Sequence, residues 1–508
     1  MSTPAVLALD QGTTGSTAMV VGDDGRVLGH AYSEFTQHFP EPGWVEHDAG
    51  EIWEVTRTVA REALAEAKEA DVHAVGITNQ RETVVLWDRE TLEPVHRAIV
   101  WQDRRTAPLC RKLKEEGHED DVRARTGLVL DPYFSGTKIH WLLENDPGLR
   151  RRAEAGELAV GTIDSWLIAR LTGGASHVTD PTNASRTLLF NLEEAAWDET
   201  MLDLLGVPAA LLPRVESSAG DFGVCLGEHL GRELPIAGVA GDQQAALFGQ
   251  GCWEAGLAKN TYGTGAFLLL NTGDKPVPSK HRLLTTAACD AQGGLAYALE
   301  GSVFIAGAAV QWLRDGLKIL GSAGASEAMA QELPDNDGVY FVPAFVGLGA
   351  PHWEPDARGT LFGLTRGTRR EHVVRAALEA MAYGTAEVLE AMEADSGVAT
   401  EELRVDGGAA LNDWLMGFQA DVVGVPVRRP ANVETTALGA AGLAGIRSGV
   451  WSSAEDFLDQ QGEASRFEPS VSDIERQALL AGWHRAVRAA VAWARDSGEG
   501  ADSGSSAS

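Results

Sequence analysis

Cysteine is scarce in this chain, with four in 508 residues, at Cys110, Cys225, Cys252 and Cys289. They lie far apart, with no Cys-x-x-Cys pair and no histidine cluster at ligand spacing. That usage implies neither a disulfide framework nor a zinc site and predicts buried free thiols. Positive charge is also short: 42 Lys and Arg stand against 73 Asp and Glu, a formal net charge of −31. Such a balance argues against nucleic acid or an anionic membrane surface as partner. No stretch of about 18 apolar residues occurs, and no basic segment followed by a long apolar one opens the chain, so the reading is a cytoplasmic protein without membrane insertion. A Gly-x-x-x-x-Gly-Lys-Ser/Thr loop is missing as well. Any bound nucleotide must then have its phosphates held by backbone N–H groups, hydroxyls and a metal ion instead of a P-loop lysine.

What is present suits that requirement. Val6 to Leu9 and Ala18 to Val21 are apolar runs of strand length on either side of Asp10-Gln11-Gly12-Thr13-Thr14-Gly15, which predicts a β-hairpin with an anion-sized tip. Glycine lets backbone approach an anion closely, successive N–H groups form a nest, and threonine hydroxyls add donors. Asp10, at the end of the first strand, suits a divalent cation reached through water. The pattern recurs half a chain later, where Gly256 to Tyr262 meets Gly263-Thr264-Gly265 and then Ala266 to Leu270. A repeat at that distance suggests two copies of one unit, whose hairpins can clamp one polyphosphate.

With 44% hydrophobic and 23% charged residues, the composition is that of a globular protein long enough for two domains. Asp48 and Glu51 have capping-box spacing ahead of a helix over 49–69. Val72 to Thr78, Val84 to Trp87, Ala98 to Trp101, Leu158 to Ile163 and Ile236 to Gly241 read as strands, with an irregular stretch up to about residue 220. Arg81-Glu82 follows one of these strands, either as a ligand site or as a solvated turn. Asp242 follows another at a helix start, either as a cap or as a base held ionised. In the second half, helices are predicted over 302–320, 370–394, 435–448 and 474–496, with strands at 338–345 and from Leu403. The Gly407-Gly408 turn leads to a helix start at Asn412.

Leu9-Asp10-Gln11-Gly12-Thr13-Thr14, Pro42-Gly43-Trp44-Val45-Glu46-His47, Ile77-Thr78-Asn79-Gln80-Arg81-Glu82, Asp131 to Lys138, Gly241-Asp242-Gln243-Gln244 and Gly347-Leu348-Gly349-Ala350-Pro351 together carry a family resemblance. From Leu7 to about Trp493 the chain resembles the FGGY carbohydrate kinases, of the wider actin-like ATPase fold, and within them the members acting on glycerol. The resemblance implies an α/β protein of two duplicated actin-like (ribonuclease H-like) domains, 1–250 and 251–495, flanking a cleft, with a disordered tail over 496–508. It implies phosphoryl transfer from ATP to glycerol with Mg²⁺ as cofactor, and a homo-oligomer, dimer or tetramer. Glycerol is expected on Arg81, Glu82, Tyr133, Asp242 and Gln243, with Trp101 and Phe267 against its carbon face and Asp242 as general base. Thr13, Thr14, Gly15 and Thr264 are expected at the phosphates, Asp10 near Mg²⁺, and Gly307, Gln311, Gly408 and Asn412 around the nucleoside. Thr17 departs from the family, which commonly has an arginine there. Some bacterial members are inhibited by fructose 1,6-bisphosphate on a loop matching Gly227 to Pro235; here that loop has two glutamates to one arginine and few glycines. Two other readings stay open: a kinase for a related polyol or ketopentose, and an ATPase switch without a small substrate.

Overall fold

The computed structural model describes residues 2–502. Two mixed sheets of one topology organise them. In the first, β1 (Thr3–Gln11), β2 (Gly15–Gly22) and β3 (Val27–Glu34) form an antiparallel meander, and β4 (Ala70–Asn79) and β5 (Leu234–Gly241) add in parallel on the β1 side. In the second, β6 (Leu257–Tyr262), β7 (Ala266–Gly273) and β8 (Leu295–Val303) repeat the meander, and β9 (Glu402–Gly407) and β10 (Val427–Arg429) repeat the parallel addition. The duplication expected from the two hairpins is therefore present in these five strands, and the second sheet carries one further antiparallel strand, Leu284–Cys289, beyond β8.

Alternation along β1 shows why its run is apolar on both faces. Ala5, Leu7 and Leu9 pack with Ile52, Val59 and Ala63 of helix α1 (Ala49–Glu66). Val6 and Ala8 point the other way, onto Ala437, Leu438 and Ala441 of α5 (Thr435–Ser448). Strands buried on both faces read as continuous hydrophobic runs. The second sheet is covered on one face by α3 (Arg370–Ser396) and α4 (Asp413–Val423). Its other face carries Leu269 and Ala298 against Leu247 of α2 (Asp242–Gly249). Each half thus lends a helix to the other's sheet. Where α2 and α5 meet, contact is backbone to backbone: a Cβ on Gly439 would lie 1.8 Å from the Ala245 carbonyl oxygen, and one on Gly249 2.3 Å from that of Thr435.

Several local expectations are corrected. Asp48 caps α1 through the Gly50 and Glu51 N–H groups, but the Glu51 carboxylate accepts from the N–H and hydroxyl of Thr36, so no capping box forms. The helix ends at Glu66 because β4 begins at Ala70. Only Ala98–Ile99 of the expected strand to Trp101 forms a strand, and only Tyr340–Val342 of that over 338–345, with Phe345 in an isolated bridge to Gly347. Ile163–Leu171, within the stretch read as irregular, is a helix buried nearly all round, which erases the amphipathic period. The helix expected over 302–320 is instead the end of β8, a turn, a short helix Gly307–Gln311 and a π-helical turn Trp312–Gly316. The last helix, α6 (Asp473–Asp502), runs past the expected start of the tail, and residues 503–508 of that tail lie outside the described residues. All four cysteines are free and buried.

Candidate active site

The tips of both hairpins are tight and polar. Gly12 N–H donates to Gly15 O at 2.9 Å, leaving Thr13 and Thr14 at the turn, Thr14 exposed. Gly15 must be glycine: a Cβ would sit 2.6 Å from the Ser33 carbonyl oxygen and the Tyr32 ring. The Thr13 hydroxyl accepts from Trp101 Nε1 at 3.0 Å and its carbonyl from Gln37 Nε2 at 3.0 Å. In the second tip Gly263 N–H donates to Gly265 O at 2.8 Å and Thr264 is exposed. The Thr264 carbonyl accepts from Ala306 and Ala308, and that of Gly263 from Gly307, so Thr264 and Gly307 share one surface. A Cβ on Gly307 would lie 2.5 Å from Gly263 O. Gln311 is exposed at the end of the short helix that Gly307 opens.

Behind the hairpins lies a cluster of buried charges. Arg81 and Glu82 are 3% and 1% exposed, which excludes the solvated-turn reading. Arg81 Nη1 donates to Glu300 Oε2 at 2.6 Å and to Gln244 Oε1 at 3.2 Å, and Nη2 donates to Glu300 Oε1 at 3.1 Å. Its Nε faces Asp242 Oδ1 at 3.2 Å. Arg186 closes the cluster, donating from Nε to Glu82 Oε1 at 2.7 Å and from Nη2 to Glu300 Oε1 at 2.9 Å. Two arginines and two glutamates balance, and Asp242, its side chain 33% exposed, is the carboxylate that opens outward. Burial drives the Glu300 pKa up, but the Arg186 and Arg81 charges outweigh it and hold the carboxyl at about 2. For Glu82 burial wins and its pKa is raised. Glu82 also sits at φ 61°, a left-handed backbone held by the Ser135 hydroxyl donating to its carbonyl at 3.0 Å. Tyr133 joins from the residue before Phe134, edge-on to Trp101 with ring centroids 5.6 Å apart and beneath the Arg186 guanidinium at 5.7 Å.

Asp242 opens α2 as its first residue, and the N-cap is Gly241, so Asp242 is not a cap. Next to it, the Gln243 side-chain oxygen accepts from Lys259 Nζ, which also donates to the Thr261 hydroxyl at 2.8 Å. Lys259 is 0% exposed, and burial pulls its pKa down to about 8 against the attraction of Asp406 and Asp242. Asp10 titrates at about 7, raised first by burial and then by the Asp242 and Glu434 carboxylates. Thr17 pairs with Asp10 across β1 and β2, and the named charges acting on Asp10 are both negative. Such a set of hard oxygen donors lacking a counter-charge fits Mg²⁺, which takes one or two carboxylates and completes its shell from water and phosphate. Among the described residues no three His, Cys, Asp or Glu side chains converge to hold a metal unaided.

The structure therefore brings together Arg81, Glu82, Tyr133, Trp101, Asp242 and Gln243. Phe267 stands half-buried on β7, across from Thr261 and Ser302. Gly408 lies at the start of a 3₁₀ turn, with nothing within 4 Å of where a Cβ would be. Asn412 spends its side-chain oxygen capping α4 through Leu415 N–H at 2.9 Å. A cavity of about 810 Å³ lies between α3 and α6, lined by His352, Glu387 and His484, away from all of these. Glu300, Arg186 and Lys259 were not anticipated. Lys259 and Glu300 each stand on a strand, and the informative signal was a Lys or Glu at a strand position that should be buried. Arg186 lies in a polar turn and offered no such signal.

Two sheets with a shared five-stranded core, each with a glycine-threonine hairpin, and buried charges with a partly exposed carboxylate beside them, make a two-domain α/β fold of the kind that handles phosphates. The model of the FGGY carbohydrate kinase N-terminal domain matches residues 5–249, and that of the C-terminal domain residues 258–448. The chain belongs to the FGGY family of carbohydrate kinases. It is 59% identical to a glycerol kinase of Dechloromonas aromatica, covering 96% of this chain and 98% of that protein. It is 57% identical to a glycerol kinase of Deinococcus radiodurans, covering 97% and 98%. The crystal structure of Plasmodium falciparum glycerol kinase with ADP superposes with a TM-score of 0.92 at 35% identity, over 96% of this chain and 98% of that one.

Proposed function

We propose that this chain transfers the γ-phosphoryl group of ATP to a terminal hydroxyl of glycerol, giving sn-glycerol 3-phosphate and ADP, as a cytoplasmic homo-oligomer. The observation that carries the reading is Asp242, a partly exposed carboxylate at a helix start whose Oδ1 lies 3.2 Å from Nε of a buried arginine whose Nη1 and one Nη2 hydrogen are taken by Glu300 and Gln244. A base in that position accepts the proton of the attacking hydroxyl as the phosphorus–oxygen bond forms. Arg81, Glu82, Tyr133 and Gln243 supply hydroxyl partners, Trp101 and Phe267 the apolar wall. Thr13, Thr14, Gly15 and Thr264 take the phosphates, and Gly307, Gln311, Gly408 and Asn412 the nucleoside. Mg²⁺, held near Asp10, would supply charge neutralisation along the phosphate chain. Phosphoryl transfer asks mainly for alignment and charge stabilisation, so closure of the halves 1–250 and 251–495 belongs to turnover. Support comes from the high identity to glycerol kinases over nearly the whole chain. The test is ADP release from ATP with and without glycerol. Release that requires glycerol supports the reading; release indifferent to it would favour an ATPase switch, and release answering to another polyol or a ketopentose would move the substrate assignment.

A further inference from the structure

Lys259 and Glu300 belong to the second half of the chain, on β6 and β8, yet both reach residues of the first. Glu300 grips the Arg81 guanidinium by two hydrogen bonds. With Nη1 spent on Glu300 and Gln244, and Nε facing Asp242, Arg81 keeps one Nη2–H for anything else. Its orientation is therefore set before a ligand arrives. Lys259 imposes a second constraint. An ammonium only donates, so the Gln243 atom that receives its hydrogen bond is the oxygen, and the Gln243 NH₂ must point away from Lys259. Asp242, the neighbouring residue, presents only acceptors when ionised. One carboxylate acceptor, one amide donor and one guanidinium donor make a fixed pattern for reading hydroxyl groups, and a rotated Gln243 would replace the amide donor with an acceptor.

We propose that Lys259 and Glu300 are positioning residues: from the second half of the chain they lock the Gln243 amide and the Arg81 guanidinium into the donor orientations that read the polyol. The inference rests on the assignment of glycerol to this site. Arg186, which also pairs with Glu300, keeps that carboxylate in place from the far side.

Steady-state ADP release by the full-length protein tests it, with glycerol, propane-1,2-diol and propane-1,3-diol as acceptors, for wild type, Lys259→Met and Glu300→Gln. Either variant is expected to raise KM for glycerol about tenfold or more while KM for ATP stays within about twofold. Lys259→Met should in addition lower the preference for glycerol over at least one of the diols by about tenfold, because a site built to pair a hydroxyl rejects the analogue lacking it only while its own polar groups are fixed. Circular dichroism and ADP affinity establish that each variant is folded, and either folded variant decides the matter. An unchanged glycerol KM in a folded variant, or an unchanged preference against both diols in Lys259→Met, overturns the proposal. Wild-type protein that releases no ADP in response to glycerol would instead overturn the substrate assignment beneath it.

Discussion

Asp242 and Glu300 stand on opposite sides of the Arg81 guanidinium and differ in exposure, and that difference separates their roles. Asp242 opens outward and is free to meet a substrate; Glu300 is sealed in and is not. Asp242→Asn should therefore fold and bind both substrates but lose about 10²- to 10⁴-fold in kcat, roughly 3 to 5.5 kcal/mol of barrier, in the ADP-release assay. More than a tenth of the wild-type kcat remaining would remove the base from the reaction. Glu300 gives a stability signature instead. Its pKa falls from 4.5 in the unfolded chain to about 2 when folded. The folded state thus binds fewer protons between these values, so the stabilisation is complete above pH 4.5 and is lost as pH falls through about 2. Glu300→Gln should flatten the fall in unfolding free energy between pH 4.5 and 3, measured by urea titration. Arg81, Glu82 and Asp242 were legible in the sequence because each follows an apolar strand, where α/β proteins place ligand sites. Glu300 and Arg186 were not, because Arg186–Glu300 spans 114 residues and Arg81–Glu300 spans 219, and local pattern carries no such distance. Lys259 lies only 16 residues from Gln243, but the two sit on different elements, a strand and a helix, that no local period joins.

Helix α5 was legible to the residue, Thr435–Ser448, since its glycines and alanines have no other use than close packing. What they pack against was not, because nothing in an Ala/Gly run says that its partner is the sheet of the other half. Gly439 is the tightest point of the α2–α5 crossing. Gly439→Ala should cost about 1–3 kcal/mol or more, since a rigid carbonyl and not a flexible side chain blocks the new methyl. Gly417→Ala in α4 is the matched control: its Cβ meets nothing within 4 Å, so relief of the glycine penalty should stabilise by about 0.5–1 kcal/mol. Equal effects of the two in thermal unfolding would mean that helix propensity and not the crossing decides. The segment 302–320 shows the opposite limit of legibility. An apolar run entering a glycine-rich turn fits the end of a strand as well as a helix, and the hydrogen bonds from Ala306, Gly307 and Ala308 to the second hairpin settle it only in three dimensions.

At the scale of the whole molecule, a net charge of −31 surrounds a buried cluster whose arginines are already paired. The hairpin tips meet this by offering neutral donors, and the arginines of the buried cluster are matched by glutamates. Elsewhere the surface has to attract anions with what is left, and the segment Gly227 to Pro235 has little. Gly227–Leu230 is a helical turn closed by Gly231 at φ 80°, not an open nest. Arg232 donates to the Val72 carbonyl and lies 3.6 Å from Asp71, and Arg61 is spent on the Glu228 and His229 carbonyls. His229 is packed edge-on against Trp53, its side chain 12% exposed, and so is not offered to solvent as a free surface group. With no uncommitted cation in the segment and glutamates at 228 and 233, a sugar bisphosphate gains no counter-charge there and meets a repelling field from the rest of the molecule. Activity titrated with millimolar fructose 1,6-bisphosphate at fixed ATP and glycerol should stay flat, apart from any effect of chelated Mg²⁺ that added MgCl₂ reverses. Saturable inhibition that persists in excess Mg²⁺ would mean that the arginines leave their present partners to build a site, and that the charge balance seen here does not govern anion binding.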